Sequence, residues 1–147
     1  MEKTSLRIKK KPIKYSVLGI NPSDGKLSEL LLREARKAEE KGFIPILVCC
    51  GLWCEPCRDL YVGMANKRMI DAFAGVHIVR VDIDDWHGEL HDNGFLICSV
   101  PHFEYLDGDG RPCDMNITGA AWGEDNTAES MAPHLLAFFD RCRSKVD

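Results

Sequence analysis

No apolar run in the 147 residues approaches the roughly 20 needed to cross a membrane, so no spanning helix is expected. An excess of one charge is also missing. Nineteen Lys and Arg against 23 Asp and Glu leave a net charge of −4, which argues against nucleic acid or an anionic membrane as partner. The one basic cluster, Arg7 to Lys14, reads as a solvated N-terminal arm. The first twenty residues hold no apolar stretch of the kind a secretory signal carries. The expected compartment is therefore the cytoplasm, or the periplasm or exterior if a leader has been removed. An even, dense set of cysteines is lacking too. Seven in a chain of this length do not form the framework of a small stapled scaffold. They fit a reducing compartment with one special pair.

What is present suits one globular domain. Hydrophobic residues make up 45% of the chain, enough for a sizeable core, and there is no internal repeat or low-complexity segment. Residues 1–22 read as an arm or edge strand, and 23–147 as the domain. Asn21-Pro22-Ser23-Asp24-Gly25 has turn chemistry. Leu27, Leu30, Leu31, Ala35 and Ala38 recur at helical spacing and Gly42 follows as a cap, which predicts a helix over 26–41. Phe43 to Cys50 is a short apolar run, as expected of a strand covered on both faces. A helix carrying Leu60, Met64, Ile70 and Phe73 follows, with a kink, and ends at Gly75. Val76 to Ile83 predicts a strand, 85–92 a short helix, and Phe103 to Leu106 a strand. Asp107-Gly108-Asp109-Gly110 is a hairpin turn before a weaker strand at Met115 to Thr118. The last helix should bury Leu135, Leu136, Phe139, Cys142 and Val146, with Pro133 in its first turn. This order predicts an α/β fold, a mixed sheet with helices on both faces.

The chemistry lies in Trp53-Cys54-Glu55-Pro56-Cys57. Disulfide exchange needs one thiolate to attack and a second thiol to resolve the mixed disulfide. Two cysteines three apart on the first turn of a helix supply both. The unpaired N–H groups there favour a thiolate at Cys54, the expected exposed and fast-reacting thiol. Pro56 suits a helix start, where its missing N–H has no intrahelical partner. Trp53 is placed to cover the pair. A Cys-x-x-Cys is also half of a zinc site. No second such pair exists, and His87 and His91 are distant in sequence, so metal ligation is the weaker alternative.

Together these features resemble the thioredoxin family. Trp53-Cys54-Glu55-Pro56-Cys57 is similar to that family's Trp-Cys-Gly-Pro-Cys site, and Arg80-Val81-Asp82-Ile83-Asp84 to its central strand. Ser99-Val100-Pro101 before a strand and hairpin resembles its cis-proline segment, and Gly119-Ala120 its groove glycine. The resemblance covers residues 27–143. It implies a thioredoxin fold and a disulfide oxidoreductase acting on protein disulfides, with Cys54 attacking and Cys57 resolving; the lack of a secretory signal makes reduction the expected direction. It also implies a cis Pro101 against the pair and a substrate groove at Val100 and Gly119. The electron donor would be a reductase or another dithiol, the protein a monomer, and no cofactor is needed beyond the cysteines.

Two departures stand out. The family's buried acid before the motif is replaced by Val48, and its glycine by Glu55, whose charge should oppose the Cys54 thiolate. The alternative readings are a binding or chaperone module of the same fold with little turnover, and a metal-handling protein using the pair. Cys49 and Cys50 read as small strand residues, at most one of which faces the pair. Cys98 lies near Pro101, Cys113 after the hairpin turn, and Cys142 in the core.

Overall fold

The computed structural model describes residues 14–145. Five strands form one sheet in the order β1-β3-β2-β4-β5. They are β1 (Ser16–Gly19), β2 (Ile44–Cys50), β3 (Val76–Asp82), β4 (His102–Leu106) and β5 (Pro112–Thr118). β1 and β2 both run parallel to β3, whereas β4 is antiparallel to β2 and β5 to β4. All seven residues of β2 are buried, as a continuous apolar run demands when helices cover both faces.

Five helices do the covering: α1 (Leu27–Lys41), α2 (Glu55–Gly63), α3 (Lys67–Ala72), α4 (His87–Asp92) and α5 (Ala128–Ser144). Alternation along β2 divides the core. Ile46, Val48 and Cys50 join Leu60, Met69, Leu135 and Phe139 on the face of α2, α3 and α5. Leu47 and Cys49 join Leu27, Leu31, Trp86 and Leu90 on the face of α1 and α4. Cys49 and Cys50, adjacent in sequence, thus lie in different layers.

Each layer is held in its own way. On the α5 face, Phe73, Phe103, Phe139 and Trp122 meet edge-to-face or tilted, with Phe73 and Phe139 centroids 4.9 Å apart. On the α1 face, the buried Glu34 accepts from His77 Nε2 at 2.9 Å and Arg33 Nε at 2.7 Å. The other ring nitrogen of His77 is 2.6 Å from Ser16 Oγ, so one network ties α1 to β3 and β1. A second buried pair, His102 Nε2 and Glu104 Oε1 at 2.8 Å, lies on β4.

The hairpin turn is seated on α1. Gly110 has a positive φ of 79°, and a Cβ there would lie 2.5 Å from the Leu31 backbone, so only glycine fits. Asn21 caps a single 3-10 turn, Pro22–Asp24, within the expected turn segment.

Several expectations need correction. The helix after the motif is two helices, because Asn66 caps a new start by accepting from Arg68 N at 2.8 Å. That turn buries Met69 and leaves Ile70 exposed. In α5 the core positions are Leu135, Phe138, Phe139 and Cys142, and Leu136 faces outward. Val146 lies outside the described residues, as does the basic cluster apart from Lys14. Pro133 sits in the second turn of α5, not the first, since Thr127 caps the helix and it begins at Ala128. Proline is tolerated there because that side of the helix is exposed, so the carbonyl it leaves free reaches solvent.

Candidate functional site

β2 ends at Cys50, and the chain turns through Gly51 to Trp53 before α2 begins. Cys54 N donates to Gly51 O at 3.0 Å, which closes the turn. Cys54 is the N-cap of α2, and its Sγ accepts the Cys57 backbone N–H at 3.2 Å. A sulfur thus fills the place where a serine or aspartate oxygen usually satisfies a free helix-end donor. Pro56 falls in the first turn, where no N–H is required.

On the other side, Cys54 Sγ faces the carbonyl of Val100 at 3.8 Å. The Val100–Pro101 bond is cis, as expected. Pro101 is buried, and its carbonyl accepts from Gly119 N at 3.1 Å. A Cβ on residue 119 would come 3.2 Å from Pro101 Cδ, so Gly119 allows a close approach. Cys54, Cys57, Val100, Pro101 and Gly119 are therefore brought to one end of the sheet.

Three expectations about this end change. Cys54 is only 3% exposed, as sheltered as Cys57 at 2%. Burial foremost lifts its pKa to about 11, against the Cys57 N–H and the Arg58 charge, which pull it down. The helix end is present, but desolvation outweighs it. Second, the basic side chain that pulls the Cys54 pKa down is Arg58, and Glu55 is exposed to solvent. Third, Trp53 borders the pair and does not cover it. Its ring lies against Gly51, its Nε1 donates to Asp84 Oδ2 at 2.9 Å, and it remains 62% exposed.

No family model matches the chain, and no curated protein matches it. Among solved structures it is similar to a thioredoxin from Trypanosoma brucei brucei, with TM-score 0.57 and 14% identity over 93% of this chain and 96% of that one. It is also similar to the long form of spinach chloroplast thioredoxin f, with TM-score 0.55 and 19% identity over 87% of each chain. A poplar thioredoxin h gives TM-score 0.53 and 16% identity over 91% of this chain and 97% of that one. The fold is the thioredoxin fold.

Within this thioredoxin fold, Val48 is buried, and β2 brings no carboxylate to the pair. The buried carboxylates among the described residues are Glu34 and Glu104. Glu104 pairs with Leu47 in register, so it belongs to the α1 face, away from Cys57. Beside Cys57 this chain has a cavity of about 540 Å³, lined by Cys50, Cys57, Arg58, Tyr61, Arg80 and Asp82 among others. Hydrogen bonding to the neighbouring Cys50 thiol, then burial, holds Cys57 protonated well above the ordinary thiol range. Burial also lifts Tyr61, whose hydroxyl is buried without a hydrogen-bond partner. The Arg80 guanidinium lies over the Tyr61 ring, 5.3 Å from its centroid.

Sequence reasoning missed this back wall. The available signal was periodicity. Cys50 shares its strand face with Ile46 and Val48, and Tyr61 lies four residues after Cys57 on one helix face. The remaining cysteines fall elsewhere: Cys98 is exposed, Cys113 half-buried and Cys142 buried in the core. His87 and His91 are exposed on α4, and no group of three or more metal-ligating side chains converges among the described residues. No helix of the described residues is long and apolar enough to cross a membrane.

Proposed function

We propose that this protein is a thiol–disulfide oxidoreductase that exchanges the Cys54–Cys57 dithiol with protein disulfides, acting as a reductant. The observation that carries the reading is the position of the Cys54 sulfur. It stands between the Cys57 N–H of a helix end and the Val100 carbonyl of the opposing loop. A thiolate formed there gains a backbone donor, and an extended peptide laid along Val100 presents its disulfide to that sulfur. Cys54 attacks one sulfur of the substrate disulfide and expels the other as thiolate. Cys57 then attacks Cys54 Sγ, releasing the second substrate thiol and closing the Cys54–Cys57 disulfide. The donor that restores the dithiol is read as a reductase or another dithiol. A solved thioredoxin f2 of similar fold is in complex with a ferredoxin:thioredoxin reductase. The protein is expected to act as a monomer, without a further cofactor.

The test is turnover of a model protein disulfide, insulin, with a chemical dithiol as donor. Wild type should accelerate reduction. Cys54→Ser should lose the acceleration, and Cys57→Ser should accumulate a mixed disulfide through Cys54. Wild-type turnover in Cys57→Ser would refute the two-cysteine mechanism.

A second reading rests on burial. A Cys54 pKa raised to about 11 leaves little thiolate at neutral pH. A binding or chaperone module of this fold would show that behaviour, binding unfolded chains with negligible turnover in the same assay.

A further inference from the structure

Cys57 stands in the middle of three thiols. On one side its backbone N–H reaches Cys54 Sγ, 3.2 Å away. On the other, Cys50, the last residue of β2, lines the same cavity wall as Cys57 and belongs to the same buried cluster. The two flanking thiols have different surroundings. Cys54 faces the Val100 carbonyl, and Cys50 faces the 540 Å³ cavity, which Cys57 also lines. Tyr61, on the same cavity wall, is beside Cys50, and its buried hydroxyl has no partner. A partnerless phenol O–H beside a thiol is a donor in waiting for its thiolate. The Arg80 guanidinium over the Tyr61 ring adds positive charge to the same wall. Cys49, in the next position of the strand, has none of this, being sealed in the opposite layer.

We propose that Cys50 is a third redox residue, which receives the disulfide from Cys54–Cys57. The inference rests on the pair being redox-active, as proposed above. The Cys50 thiolate attacks Cys57 Sγ, the Cys50–Cys57 bond forms, the Cys54–Cys57 bond breaks, and Cys54 leaves as thiolate. One disulfide is exchanged for another, so no oxidant or reductant is consumed. The proton lost by Cys50 leaves through the cavity, and Cys54 gains one at the Val100 side. The relay moves the disulfide from the Val100 side, where a protein substrate would lie, to the cavity. A reductant can then act from behind while Cys54 is free.

Two variants test this. Cys54→Ser isolates the inner pair. After treatment with diamide, acid quenching and alkylation, peptide mapping should find Cys50 linked to Cys57. In wild type oxidised by a single equivalent, a fraction of Cys54 should still take up iodoacetamide, because part of the disulfide has moved inward. Cys50→Ser should abolish that labelling, leaving only the Cys54–Cys57 linkage. The relay is overturned if Cys54→Ser yields no Cys50–Cys57 linkage, or if Cys50 pairs with Cys49. It is equally overturned if Cys50→Ser leaves the Cys54 labelling unchanged. Wild type that forms no Cys54–Cys57 disulfide at all would instead remove the redox reading on which the relay depends.

Discussion

The two faces of the sheet bury similar apolar side chains but differ in the polar groups they hold: carboxylate–histidine pairs on the α1 face, and a cluster of thiols on the α5 face. On the α1 face the buried Glu34 and the half-buried His77 have partners within 3 Å, and His102 Nε2 is paired with Glu104 while its Nδ1 has no partner. On the α5 face the polar groups around the cysteine pair are thiols and the Tyr61 phenol, whose contacts are weak or absent. Desolvation explains why both arrangements are stable. A buried carboxylate costs several kcal/mol unless it is paired, whereas a neutral thiol behaves as a small apolar group. The α5 face can therefore hold several cysteines near one another with no fixed ionic partner.

That contrast can be tested by breaking each face in turn. Phe139→Ala should have the largest effect, because Phe139 touches both Phe73 and Phe103 in the centre of the α5 layer. A loss of about 3–5 kcal/mol in urea unfolding is expected. A loss of about 1 kcal/mol would mean that the aromatic cluster does not hold this face.

His77→Ala comes next, at about 1–3 kcal/mol, since it removes a partner from a buried carboxylate. Burial pushes the Glu34 pKa up, but the His77 and Arg33 hydrogen bonds outweigh it, and the net direction is down. Stability from this group is therefore present above the unfolded carboxylate value, and lost as pH falls through the lower folded value. The acid limb of a stability-against-pH curve should be shallower in His77→Ala than in wild type. An unchanged limb would remove Glu34 from the account.

The smallest effect is expected from Arg58→Met, measured by thiolate absorbance with Cys57→Ser in both forms. Arg58 pulls the Cys54 pKa down, so its loss should raise the midpoint above about 11. The rise should be small, because Arg58 is exposed and its field is screened. The sign of the wild-type shift also sets the alkaline behaviour. Cys54 ionises later in the folded chain than in the unfolded one. Its contribution is therefore intact below about pH 9 and disappears as pH rises through about 11.

Local pattern by itself determined the element order, the placement of Cys54 and Cys57 at a helix start, the buried strand before them and the hairpin after Leu106. These depend on spacing, on turn residues and on proline's missing N–H, all read within a few positions. Tertiary packing alone decided the rest. Ile70 and Leu136 fit the helical period as well as Met69 and Phe138 do, but the neighbouring elements left room for the latter pair. Cys54 has the helix end that favours a thiolate. The loop at Val100 and the surrounding core remove it from water, and that desolvation wins. Cys50 resembles Cys49 in the sequence. Only the approach of α2 to one side of β2 makes the first a neighbour of Cys57 and leaves the second an inert core residue. Burial depends on what arrives from distant parts of the chain, and no local spacing encodes that arrival.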